Sequence, residues 1–206
     1  WSSDVCSSDL DEGIVGALEA VAVALGARTL PPAHVANLVL PALPNGSVTI
    51  EGIAAVLAAM LPEDAIVVDE AVSTGRGFPA LTASARPHDW LTLMGGSIGF
   101  CLPAAVGAAI ACPSRKVVAL ESDGSGMYTP QALWTMAREG LDITILLFAN
   151  RAYNILRGEF SSVGAGAPGQ RATDMLTLDR PVIDWVGLAR SQGLEAGRAS
   201  TLEELA

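Results

Sequence analysis

Asp123 and Asn150 lie 27 residues apart, each where an apolar run gives way to turn-forming residues. Between Lys116 and Leu156 the chain reads KVVALESDGSGMYTPQALWTMAREGLDITILLFANRAYNIL. Lys116 to Glu121 reads as a short β-branched strand, broken by Ser122-Asp123-Gly124-Ser125-Gly126. Ile143 to Phe148 reads as a second buried strand, with Asn150 just past its end. If the two strands are parallel neighbours, Asp123 and Asn150 converge at their carboxyl ends. Two oxygen donors beside the exposed N–H groups of a glycine turn suit a divalent metal holding a diphosphate. Magnesium takes one or two carboxylates, a few neutral oxygens, and phosphate oxygens for its remaining positions. Gly124 and Gly126 would let the backbone approach a phosphate, and Ser125 would add a hydroxyl. The same residue types also form turns that bind nothing, and spacing alone leaves that alternative open.

The elements that must position these groups follow from pattern. Thr129-Pro130 predicts a helix start, with Thr129 as N-cap and Pro130 at the first helical position. Ala132, Leu133 and Met136 form its apolar face and Gly140 its end. Upstream, Asp11 to Ala27 predicts an alanine-rich helix ending near Gly26, followed by a linker carrying Pro31, Pro32, Pro41 and Pro44. Ile50 to Leu61 predicts a helix with Ile50, Ile53, Ala54 and Leu57 on one face. Ala65 to Asp69 is a buried strand delivering Glu70 and Ser73 to a turn, and Trp90 to Leu93 is another strand. The small-residue run after Pro103 reads as a helix suited to close packing on a sheet. The span from Glu159 to Arg180 is polar, Gly-rich and longer than an ordinary connection. Ile183 to Gly193 and the residues from Thr201 onward read as helical, and no further strand follows them. Strands alternating with helices imply an α/β fold, a doubly wound parallel sheet with helices on both faces.

Met94-Gly95-Gly96-Ser97-Ile98-Gly99 is a second glycine turn, after a strand and before a helix. It satisfies G-x-S-x-G, the context of a hydrolase nucleophile elbow with Ser97 as nucleophile. An elbow of that kind needs an acid and then a histidine downstream. The two histidines, His34 and His88, both precede Ser97, which weighs against a serine hydrolase. A non-catalytic α/β scaffold is the third reading.

Both turns resemble those of thiamine diphosphate (ThDP) enzymes. The family carries a GDG triplet followed at a fixed distance by an NN pair; here Ser122-Asp123-Gly124 and Ala149-Asn150 stand in those places. Ser122 and Ala149 depart from the pattern, and neither departure removes a ligand. The resemblance implies Mg²⁺ ligands at Asp123, Asn150 and the Ala152 carbonyl, with Gly124, Ser125 and Tyr153 at the cofactor. The second turn resembles the family's GG-x-[LIM]-G segment. It implies that Ile98 bends the cofactor, that the Gly96 carbonyl accepts from its 4′-amino group, and that Ser97 lies alongside. Ser73 falls where the family has a diphosphate-binding hydroxyl, and Cys101 where it has a small packing residue.

The resemblance, closest to acetolactate synthases and benzoylformate decarboxylases, covers roughly residue 48 to the end. It implies decarboxylation or carboligation of a 2-oxo acid and a homodimer or homotetramer in the full-length form. FAD has a place in some such enzymes, though no residue here speaks for it. The family's proton-switch glutamate lies on another domain, so no residue of this chain is assigned a catalytic role. Glu70 and Glu121 are expected as solvated or hydrogen-bonded turn residues. On this reading residues 1–10 are a non-native leader, and 11–47 the tail of a preceding domain plus linker. Residues 48–206 are then the diphosphate-binding domain without its last strand.

Composition bounds these readings. Half of the 206 residues are hydrophobic and 17% are charged, enough apolar content for a sheet covered on both faces. A net charge of −10 argues against nucleic acid and anionic membrane surfaces as partners. Cys6, Cys101 and Cys112 have no CxxC spacing and are expected as free thiols in a reducing cytoplasm. The apolar run from Ile98 to Cys112 is interrupted by Pro103 and Gly107 and is too short to span a bilayer. Residues 1–10 show no signal-peptide pattern.

Overall fold

The computed structural model describes residues 13–27, 37–164 and 166–206. The expected leader, Cys6, His34, Pro31 and Pro32 lie outside the described residues. The chain divides into two compact units, Trp1–Asn37 and Leu38–Ala206. In the first, α1 (Ile14–Ala24) is followed by Gly26 at φ +66°, close to the predicted end.

The second unit opens with an extended segment, in which the Val39 N–H donates to the Ser84 carbonyl at 2.9 Å. Then come α2 (Ile50–Met60), β1 (Ala65–Asp69), α3 (Val72–Gly75), α4 (Phe78–Leu81), β2 (His88–Thr92) and α5 (Cys101–Ala111). They are followed by β3 (Val117–Ser122), a 3-10 turn at Gly126–Tyr128, α6 (Ala132–Glu139), β4 (Ile143–Phe148) and α7 (Asn154–Ser162). Three short helices complete the order: α8 (Gln170–Met175), α9 (Trp185–Ser191) and α10 (Leu202–Leu205). The span expected as a long polar connection, Glu159 to Arg180, thus contains the last turn of α7 and all of α8. Among the described residues no helix is long and apolar enough to cross a membrane.

The four strands form one parallel sheet in the order β2-β1-β3-β4. Alternate residues of the central strands feed opposite faces. Ala65, Val67, Val118 and Leu120 pack with Ile53, Leu57 and Phe78 under α2 and α4. Ile66, Val68, Val117 and Ala119 pack with Leu102, Ala105, Leu133 and Met136 under α5 and α6. The β1-to-β2 connection therefore runs over one face, and the next two crossovers run over the other. Both are consistent with right-handed crossovers, and they put the reversal of winding between β1 and β3. In open sheets that reversal opens a crevice at the carboxyl ends of the strands, where ligands bind.

Two helix details differ from expectation. Ile50 is 44% exposed, so the buried stripe of α2 is Ile53, Ala54, Val56 and Leu57. Thr49, just before it, caps the helix by accepting from the Gly52 N–H at 3.0 Å. Thr129 does not cap α6, whose first residue is Ala132. Its hydroxyl donates instead to the Gly99 carbonyl at 2.9 Å, tying the two glycine turns together. Gly140 ends α6 in the left-handed region at φ +60°, as its sequence position predicts.

Candidate functional site

At the carboxyl ends of β3 and β4, the Asp123 side chain is almost wholly buried. Its Oδ2 accepts from the Arg151 N–H at 2.6 Å. Its Oδ1 is buried and has no hydrogen-bond partner. Burial pushes the carboxyl above the usual range, and the bond from Arg151 opposes the shift. Asn150 Oδ1 accepts from the Ala152 N–H at 2.9 Å, and Nδ2 faces Ser73 Oγ at 3.4 Å. Ser73, Asp123, Asn150 and Ala152 thus meet at one end of the sheet. The segment is braced from its other side, since Tyr153 N–H donates to Leu176 O at 3.0 Å and Leu178 N–H to Arg151 O at 2.8 Å.

An unpaired buried carboxylate oxygen is costly unless a cation or donor meets it. Carboxylate, amide and carbonyl oxygens are the hard donors that magnesium prefers. Among the described residues no group of three or more His, Cys, Asp or Glu could hold a metal. A metal at this end of the sheet would therefore rest on Asp123 together with neutral oxygens and ligand oxygens, and the donor set present fits that arrangement.

The glycine turn has a packing role that spacing did not reveal. A Cβ on Gly124 would fall 2.8 Å from the Tyr153 ring, and one on Gly126 would fall 2.8 Å from the Trp185 ring. Tyr153 therefore lies against the turn. The Ser125 hydroxyl points inward, donating to Glu121 Oε1 and lying 3.3 Å from the Ser122 carbonyl.

In the second turn Gly95, Gly96 and Gly99 all have positive φ. The Ser97 N–H donates to Met94 O at 3.3 Å, and the Ile98 N–H to Gly96 O at 3.0 Å. Ser97 and Ile98 are exposed. His88, where β2 begins, has Nδ1 at 2.7 Å from the Arg86 carbonyl, at the opposite end of the strand from Ser97. Among the described residues no histidine meets Ser97. A depression of about 790 Å³ also lies at the amino ends of the strands. Its cations are ion-paired, Arg115 with Asp89 and Lys116 with Asp142, and it stands apart from the converging residues.

Two acidic residues expected as turn groups prove to be interior. Glu70 is 1% exposed, and its two oxygens accept from the N–H groups of Gly99 at 2.6 Å and Cys101 at 2.7 Å. Glu121 is fully buried; Oε1 accepts from the Ser122 N–H and the Ser125 hydroxyl, while Oε2 has no partner. Burial, reinforced by the nearby Glu70 and Asp69 charges, pushes its carboxyl up to about 8. Strand periodicity could have found both. Glu70 continues the face of Ile66 and Val68, and Glu121 continues that of Val117 and Ala119, each pointing beneath α5. Cys101 is buried as expected; burial, with carboxylates nearby, raises its thiol and keeps it unreactive.

Residues 74–206 match the family described as thiamine pyrophosphate enzyme, C-terminal TPP binding domain. A Mycobacterium tuberculosis protein provisionally named acetolactate synthase large subunit IlvX is 50% identical over 94% of this chain. Benzoylformate decarboxylase of Pseudomonas aeruginosa is 32% identical over 98% of it. The chain spans 38% of the length of each of these two relatives. Among solved structures, the thiamine diphosphate-dependent 4-hydroxybenzoylformate decarboxylase of Rhodococcus jostii RHA1 superposes with a TM-score of 0.66 at 29% identity. The likeness covers 85% of this chain and 32% of that one.

Proposed function

Because this chain belongs to the thiamine pyrophosphate enzymes, as their C-terminal TPP-binding domain, we propose that it holds the diphosphate of ThDP through Mg²⁺ in a protein acting on 2-oxo acids. The observation that carries the metal assignment is Asp123 Oδ1, buried and unpartnered beside Asn150 and Ala152. Asp123, Asn150 and the Ala152 carbonyl would hold the cation. The hydroxyl of Ser73, 3.4 Å from Asn150 Nδ2, would join the diphosphate contacts.

When bound, ThDP supplies a carbon nucleophile and an electron sink for decarboxylation, chemistry that no side chain can match. The chain's own part is to grip and orient. Gly96 would offer its carbonyl to the cofactor's amino group, and Ile98 would set the angle between the cofactor's two rings, an orientation effect rather than a source of affinity. The names of the relatives, a synthase of acetolactate and a decarboxylase of benzoylformate, support a 2-oxo acid as substrate. Met94 and Tyr128, 74% and 64% exposed, leave an apolar surface around the second turn. Such a surface suits a covering domain, and with it a dimer or tetramer of the full-length protein.

Calorimetry of the chain with ThDP and Mg²⁺ tests the reading. Binding should require the metal, and Asp123→Asn and Asn150→Ala should each weaken it by about tenfold or more, since even outer-shell changes at metal sites reach that scale. A variant that binds as tightly as the parent would overturn the ligand assignment.

A further inference from the structure

Helix α5 begins without a side-chain cap of its own, because Phe100 stands at its N-cap position. The first N–H groups of a helix have no partner within it and must find one elsewhere. Here the partner comes from a different strand end. Glu70, the residue after β1, reaches across to accept from Gly99 N–H with one oxygen and Cys101 N–H with the other. The acid is buried at the positive end of the α5 dipole, where a negative charge is favoured.

The same residue is fastened on its other side. Its backbone N–H donates to Leu120 O at 2.8 Å, and its carbonyl accepts from the Ser122 hydroxyl at 3.2 Å. Gly99, held by Glu70, is in turn bonded through its carbonyl to Thr129. Only a glycine fits there: φ is +91°, and a Cβ would fall 2.6 Å from that of Tyr128. Glu70 thus stands between the turn carrying Ile98 and the turn carrying Asp123, bonded to both.

We infer that Glu70 is a positioning residue: its carboxylate fixes the Gly95–Gly99 turn, and so the seat of the cofactor's ring end, against the diphosphate turn. The inference rests on the ThDP reading for what the turns hold, and on the hydrogen bonds alone for the clamp. Both oxygens of Glu70 are taken by the N–H groups of Gly99 and Cys101, so its effect is carried through that backbone.

Glu70→Gln separates this role from a general structural one. The amide keeps the shape, but its NH₂ must face one of two N–H donors, leaving that donor buried and unpaired. The clamp's backbone half, which bonds Leu120 and Ser122, is retained. Two probes are titrated into parent and variant: ThDP with Mg²⁺, and inorganic diphosphate with Mg²⁺. Hydrogen exchange at the Gly99 and Cys101 amides is followed alongside.

The expected result is about a tenfold loss of ThDP affinity, unchanged diphosphate affinity, and faster exchange at the two amides. Equal loss of both ligands with a lowered melting midpoint would mean Glu70 only supports the fold, overturning the proposal. Unchanged ThDP affinity with both amides still protected would overturn it as well. If the parent binds neither probe, the ThDP reading fails while exchange still decides the clamp: faster exchange in Glu70→Gln upholds it, and unaltered exchange ends it.

Discussion

Glu121 is the residue whose protonation the fold alters most legibly. Its carboxyl has an ordinary value of 4.5 and is pushed up to about 8 by burial. The unfolded chain releases this proton near pH 4.5, whereas the folded chain keeps it until about pH 8. Folding therefore takes up a proton across that window. The stability linked to Glu121 is complete below it and is lost as pH rises through it. Asp69 and Asp123, both raised by burial, act in the same direction. Glu121→Gln cannot titrate, so its melting midpoint should fall less than the parent's between about pH 4.5 and pH 8. Thermal melts across that range check this, and parallel slopes for parent and variant would count against it. Single residues also mark where pattern reading stops. The convergence of Asp123 and Asn150 was legible because each falls just past the end of one of two neighbouring parallel strands. Ser125 was legible as a turn hydroxyl, but its direction was not, since the rotamer is set by a carboxylate that only the folded sheet brings beneath it.

At the scale of elements, β1 and β4 match their predicted spans because each is an apolar run with turn residues at both ends. Only β1 is buried, however: β4, at the sheet edge, is only half-buried and exposes Thr144. The start of α6 was misread because Thr129-Pro130 fits a cap by type, while Gly99 claims the hydroxyl through a tertiary contact. Stretch Glu159–Arg180 hid its helices because their polar faces are exposed and leave little apolar period to detect. Two glycines, both free of neighbours within 4 Å of an added Cβ, should respond to alanine with opposite sign. Gly107 lies inside α5 with ordinary dihedrals, so Gly107→Ala should stabilise by about 0.5–1 kcal/mol. Gly140 needs φ +60°, so Gly140→Ala should destabilise by about 1–2 kcal/mol. Denaturant unfolding of the two variants measures both, and a shared sign would refute the backbone argument.

Across the whole molecule, division of labour is the expectation that matters. The groups proposed for the diphosphate end are all present here, and the acid that the family uses at the pyrimidine end has no counterpart assigned in this chain. Residues 1–206 by themselves are therefore expected to bind ThDP with Mg²⁺ yet show no turnover of pyruvate or benzoylformate. A steady-state assay decides this; sustained decarboxylation would place a proton switch within these residues. The binding half of that expectation also has a readout that needs no substrate. Trp185 presses its ring against Gly126, leaving room for no Cβ between them, and its indole N–H is buried without a partner. An indole so placed has an emission that depends on the packing of one short turn. Trp90 and Trp134 sit elsewhere, on β2 and on the outer face of α6 beside Arg138. Any ligand that tightens the Asp123 turn should shift the emission of Trp185, and Trp185→Phe should silence that signal while the chain still binds. The domain would thus carry its own optical gauge of occupancy, set against the turn proposed to hold the diphosphate.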